Sequence, residues 1–170
     1  MAYTVLVAYG SAYGSTAELA HTVGSVLDKA GLTADVRPAR EVRDLSPYDA
    51  VVLGGALYGG RWQHDARRFA RRQGRALSRR PLWLFSSGPL DSSASRRDLP
   101  SPRSVRRTAR RLGARGQATF GGCLDARASG RIARSIVQTG KGGDFRDFDA
   151  VSEWASGVAR EIDSLLDTGV

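Results

Sequence analysis

The sequence predicts an α/β domain with a five-stranded parallel sheet, doubly wound in the order 2-1-3-4-5 and covered by helices on both faces. Five short apolar, β-branched or aromatic runs recur along the chain, at residues 4–9, 33–38, 50–54, 82–86 and 118–124. Segments with a single apolar helical face lie between them, as a parallel sheet built from βα repeats requires. Strands that alternate with helices argue for a parallel sheet covered on both sides. At 170 residues and 41% hydrophobic content, the chain suits one well-buried domain spanning residues 1–170.

The first run feeds a small, hydroxyl-rich loop and then a stripe of Leu19, Ala20, Val23, Leu27 and Ala30, giving strand, loop and helix in that order. After the second and third runs, Trp62, Ala66, Phe69, Ala70 and Leu77 mark one face of a helix over residues 62–80. A shorter helix is expected near 102–112. The last helix shows Val151, Trp154, Ala155, Val158, Ile162 and Leu165 on one side. Residues 92–103, rich in Ser, Pro and Arg, read as an exposed loop. Residues 125–143 are polar and only partly periodic, and no element is assigned to them.

In this topology ligands sit beyond the carboxyl ends of the strands, near the point where strand order reverses. The loops after the first, third and fourth strands therefore converge. The first loop, Ser11-Ala12-Tyr13-Gly14-Ser15-Thr16, sets hydroxyls and free backbone N–H groups at a helix N-terminus. Orphan donors and the helix dipole favour a phosphate there. A dinucleotide fingerprint is excluded because only Gly10 and Gly14 are present, at the wrong spacing for G-x-G-x-x-G. A Walker-type loop is excluded because no lysine follows Gly14. A phosphoacceptor site is excluded because the strand ends in Tyr9-Gly10 rather than in acidic residues. An ordinary Ser/Thr helix cap is the alternative.

The second loop, residues 54–62, holds Ala56, Leu57, Tyr58 and Gly59 between glycine pairs. Glycines let backbone approach a planar ligand, and Tyr58 offers a stacking face. Trp62 is a second stacking candidate or a core residue. The third loop offers Ser87, Gly88, Pro89 and Leu90, whose small residues and free amides suit the polar edge of a heterocycle; a plain turn is the alternative. No acid–base pair is identifiable, and no catalytic residue is assigned. His64 has no evident partner and reads as a surface residue.

The charge balance of 26 basic against 17 acidic residues gives a net charge of +9, with Lys29 and Lys141 the only lysines. An arginine bias also follows from a GC-rich coding sequence. The single Cys123 with only His21 and His64 makes a zinc site unexpected and fits a reducing compartment. No stretch approaches the ~20 apolar residues of a membrane span, and the N-terminus lacks the pattern of a signal peptide. The expected location is the cytoplasm.

The first loop resembles the phosphate loop of the flavodoxin-like family: Ser or Thr, any residue, Ser or Thr, Gly, any residue, Thr. Ser11, Gly14 and Thr16 match, and Tyr13 stands where a small hydroxyl residue is usual. The strings YGSAYGSTAELA, VVLGGALYGGRWQHDARRFARR, LFSSGPL, RRLGARGQATFGGCLD and GGDFRDFDAVSEWA resemble the menaquinone-dependent protoporphyrinogen oxidase branch of that family. The resemblance covers most of the chain. It implies a bound FMN that takes electrons from a porphyrinogen and passes them to a membrane quinone. Ser11, Ala12, Tyr13, Gly14, Ser15 and Thr16 would then hold the phosphate. Ala56, Leu57, Tyr58 and Gly59 would lie against the isoalloxazine, and Ser87, Gly88, Pro89 and Leu90 would line its polar edge. In that branch an insertion at the place of residues 125–143 lies near the flavin. The protein's part in such chemistry is to place and tune the cofactor.

Two other readings stay open: an electron carrier between protein partners, and a flavin-free binding module of the same fold. Arginines on residues 62–80 and 103–111 suit an anionic membrane surface, at about 1 kcal/mol per basic group, or the propionates of a porphyrinogen. A peripheral place at the inner face of the cell membrane follows as an expectation. A nucleic-acid partner is not expected, because no binding module and no basic stripe with interleaved aromatics occurs. The oligomeric state is not readable from the sequence.

Overall fold

The computed structural model describes residues 3–11, 14–88, 101–121, 123–124, 143–144 and 146–168. Its elements are β1 (Thr4–Gly10), α1 (Ser15–Lys29), β2 (Thr33–Pro38), a 3-10 turn (Ala39–Glu41), β3 (Ala50–Tyr58), β4 (Arg61–Trp62), α2 (His64–Arg72), α3 (Gly74–Ser78), β5 (Leu82–Ser87), α4 (Arg103–Leu112), β6 (Gly116–Phe120), β7 (Cys123–Leu124), β8 (Gly143–Asp144) and α5 (Phe148–Asp167).

The sheet runs β2-β1-β3-β5-β6 with every neighbouring pair parallel. Counting only these strands, the order is 2-1-3-4-5, as expected from the sequence. The short β4 adds an antiparallel hairpin arm to β3. Apolar residues cover both faces. Val5, Val7, Val52, Trp83 and Phe85 pack with Leu19, Val23 and Leu27 of α1 and Val151, Val158 and Ile162 of α5. Leu6, Leu53 and Leu84 pack with Phe69 of α2, Leu77 of α3 and Val105, Ala109 and Leu112 of α4. This alternation along each strand is the two-residue period of the pleat. Each of the larger side chains contributes about 1.5–3 kcal/mol through burial.

Four expectations are corrected. The third strand runs to Tyr58, so Gly55 to Tyr58 lie in the sheet rather than in a loop. The reason is packing: a Cβ on Gly54 would lie 2.0 Å from Phe85 Cζ, and one on Gly55 would lie 2.6 Å from Trp62 Cγ. Those glycines leave room for aromatic rings of the core. Similarly, Ser87 belongs to β5 rather than to the loop after it. The helix expected over 62–80 begins only at His64 and breaks at Gln73, with Trp62 in β4. Gly74, a poor helix former, follows the break. The last sheet strand is Gly116–Phe120, and Cys123–Leu124 instead pairs antiparallel with Gly143–Asp144. Most of residues 92–103 and 125–143 lies outside the described residues.

Candidate functional site

Register brings the strand ends together. Gly10 of β1 pairs with Gly55 of β3, Ala56 pairs with Ser87 of β5, and Ser87 pairs with Phe120 of β6. Segments leaving β1, β3 and β5 therefore start side by side, at the place where strand order reverses.

Beyond β1, Gly14 takes a left-handed conformation (φ 88°) and opens α1. Its N–H donates to Ser11 Oγ at 2.9 Å, which closes the turn. No side chain among the described residues caps the helix. Glu18 N donates to Gly14 O at 3.3 Å, so the N–H groups of Ser15, Thr16 and Ala17 precede the first intrahelical bond. The decisive atom is Thr16 Oγ1. Thr16 is fully buried, and its hydroxyl oxygen has no hydrogen-bond partner among the described residues. An orphaned buried hydroxyl costs about 1–3 kcal/mol, which an acceptor brought by a ligand would offset. A phosphate oxygen fits: it accepts from hydroxyl and N–H alike and is favoured by the helix dipole.

Arg146, just before α5, forms an ion pair with Glu18 in the first turn of α1. Its guanidinium also stands 5.0 Å from the centre of the Phe148 ring. This cation at the N-terminal end of α1 has no sequence signal, because 128 positions separate it from Glu18.

Beyond Gly55, β3 continues past the end of β1 and turns back through Gly59 (φ 58°) and Gly60 (φ 76°) into β4. Two central residues at positive φ make a type I′ hairpin, for which Gly-Gly is well suited. Ala56 is buried, Leu57 is half-buried, and Tyr58 is 45% exposed near the tip. Trp62 is buried and donates from Nε1 to Ser86 Oγ at 2.8 Å, which assigns it to the core rather than to a stacking role. Gly88 leaves β5 with φ 136°, donates its N–H to Phe120 O at 2.7 Å and packs toward Leu57.

The structure thus brings Ser11, Gly14, Ser15, Thr16, Ala56, Leu57, Tyr58, Gly59, Ser87 and Gly88 to one end of the sheet. Ala12, Tyr13, Pro89 and Leu90 lie outside the described residues. His64 is exposed at the start of α2, whose cap is Gln63 Oε1 accepting from Asp65 N at 2.8 Å. No cluster of His, Cys, Asp and Glu among the described residues is arranged to hold a metal. No described helix is long and apolar enough to cross a membrane.

A model of the Flavodoxin domain family matches residues 6–148. The chain belongs to the flavodoxin-domain family. Solved structures share the fold. Rubredoxin oxygen:oxidoreductase from Desulfovibrio gigas superposes with a TM-score of 0.65 at 11% identity, covering 96% of this chain. The chain spans 37% of that oxidoreductase. Flavodoxin 2 from Bacillus cereus gives a TM-score of 0.64 at 17% identity, covering 93% of this chain and 99% of its own. A flavodoxin from the Archaea gives 0.62 at 12% identity, covering 94% and 99%. No curated protein matches the sequence significantly. Membership in the flavodoxin-domain family implies a flavin cofactor, and the uncapped N-terminus of α1 with its orphaned hydroxyl fits the phosphate of one.

Proposed function

We propose that this flavodoxin-domain protein binds FMN across the ends of β1, β3 and β5 and passes electrons between redox partners. The observation that carries the reading is Thr16 Oγ1, buried and without a partner among the described residues at the start of α1. In this reading residues 11–16 hold the phosphate, through the hydroxyls of Ser11, Ser15 and Thr16 and the free N–H groups of the first turn. Ala12 and Tyr13 belong to the same sequence loop. Tyr58, with Ala56, Leu57 and Gly59, flanks the isoalloxazine, and Ser87, Gly88, Pro89 and Leu90 line its polar edge. Bound FMN supplies the redox chemistry. The chain's residues anchor it, exclude water from one face and set the access of partners.

A second reading follows the finer resemblance: direct oxidation of a porphyrinogen with a quinone as electron acceptor. Supporting it, Arg103, Arg106, Arg107 and Arg110 line a concavity of about 390 Å³ on α4, and guanidinium groups suit propionates.

The absorption spectrum of the purified protein, followed by FMN titration, tests the shared part of both readings. A bound-flavin spectrum or saturable quenching of FMN fluorescence is expected; neither appearing would reject both. An anaerobic porphyrinogen assay with a menaquinone analogue then separates them, since only the second reading predicts turnover.

A further inference from the structure

The helices divide by charge across the sheet. On one face, α2, α3 and α4 carry ten arginines against the single carboxylate of Asp65. On the other, α1 and α5 carry seven carboxylates against Lys29 and Arg160. The two sets also differ in what they do. Glu18 pairs with Arg146, Asp28 accepts from Ala34 N, Glu161 from Trp83 Nε1 and Asp167 from the Tyr3 hydroxyl. Of the ten arginines, only Arg72 has a bond, to Val42 O; the other nine side chains form no hydrogen bond or ion pair among the described residues.

On α4 the arrangement works against the helix. Arg103, Arg107 and Arg111 follow at four-residue steps, as do Arg106 and Arg110, with no acidic residue among them. Like charges at that spacing repel, and Arg103 also faces the positive end of the helix dipole. The face is joined to the candidate flavin site. Ser104 Oγ donates to Gly60 O at 2.8 Å, fastening the first turn of α4 to the hairpin tip beside Tyr58.

We propose that the arginine face of α2–α4, entered at α4, docks an acidic redox protein against the exposed edge of the flavin. This inference rests on the flavin reading above. An acidic protein is favoured over a membrane because the described part of this face exposes no large apolar side chain for insertion: Tyr58 and Phe148 are the exposed ones, and neither lies on these helices. It is favoured over a small dicarboxylate because the unpaired arginines extend over three helices. Each electron passed leaves the reduced flavin for one ferric haem of the probe below, so a fully reduced flavin converts two ferric haems to ferrous.

The probes are native cytochrome c, which is basic, and succinylated cytochrome c, whose lysines have become carboxylates while the haem is retained. The FMN-loaded protein, reduced with dithionite, is mixed with each in a stopped flow. At low ionic strength the succinylated form should accept electrons at least ~10-fold faster, and salt should erase the difference. The R106E/R107E/R110E variant, with unchanged FMN affinity, should reverse the order. Equal rates, faster reduction of the native form, or an unaffected preference in the variant would overturn the proposal.

Titration calorimetry of the purified protein with succinylated cytochrome c gives a readout that needs no flavin. Association lost in the variant supports the surface even where FMN fails to bind, and no association overturns it. Co-sedimentation with vesicles of equal phosphatidylcholine and phosphatidylserine, undiminished by succinylated cytochrome c, would also overturn it in favour of a membrane.

Discussion

Trp62 Nε1 donates a hydrogen bond to Ser86 Oγ at 2.8 Å, with both residues buried. The contact ties the β3–β4 hairpin, which presents Tyr58, to the end of β5, which leads into Gly88. Replacing either partner leaves the other buried and unmatched. S86A should lower stability by about 1–3 kcal/mol, and W62F by at least as much through the added loss of packing. The double variant should cost less than the sum of the two. Urea unfolding of the four proteins checks this, and strict additivity would contradict it.

Thr16 separates stability from binding. T16V removes a buried hydroxyl that has no partner among the described residues, so the flavin-free protein should hold or gain stability, by up to about 1–3 kcal/mol. The same change should weaken FMN by roughly 10- to 100-fold, the loss of one hydrogen bond to a charged group. Thermal unfolding without flavin and fluorescence titration with it read the two effects. Destabilisation without any loss of affinity would place the hydroxyl in the fold alone.

Gly10 holds β1 close to α2. A Cβ there would lie 2.6 Å from Ala66 N and 2.8 Å from Ala66 Cβ, and backbone cannot yield as a flexible side chain does. G10A should therefore destabilise by about 1–3 kcal/mol and shift the start of α2. The denaturant midpoint measures it; an unchanged midpoint would contradict the close approach.

The Tyr48 hydroxyl donates to Asp35 Oδ2 at 2.5 Å, and burial together with this bond pushes its phenol up to about 12. The folded state thus holds that proton more tightly than the unfolded chain, whose tyrosine ionises near 10.0. The stabilisation is whole below that value and is lost as pH rises through about 12. Ultraviolet difference spectroscopy should show a late tyrosinate step that Y48F removes, and the stability gap between wild type and Y48F should narrow in the same window. A titration in which Y48F removes no late step would contradict the assignment.

The arginine ladder of α4 predicts a gain from its disruption. R107E sets a glutamate four residues after Arg103 and four before Arg111, turning two repulsive pairs into attractive ones. Stability should rise by about 0.5–1 kcal/mol, seen in the urea midpoint. A fall would mean that Arg107 has a structural role.

The alternation of apolar runs and helical stripes made the topology legible, because it reflects which faces must be buried. β2 is found at the expected bounds, and β1 and β5 each run one residue further. The site was half legible. The hydroxyls around Gly14 were readable because a helix N-terminus is a local feature. The roles of Gly54, Gly55 and Ser86 were not, because their partners Phe85 and Trp62 meet them only across the folded sheet. The hairpin had a local signal, Gly59-Gly60 between Tyr58 and Arg61, but the flanking glycines read as one long loop. The pairing of Arg146 with Glu18 is a consequence of tertiary packing alone.

The central claim is that the start of α1 holds the phosphate of a flavin. It is tested most directly by comparing FMN with riboflavin, which carries the same ring without the phosphate, in parallel fluorescence titrations of the flavin-free protein. FMN binding far more tightly than riboflavin, with inorganic phosphate competing, is the predicted result. Equal affinity for the two, or no binding of either, would contradict the account.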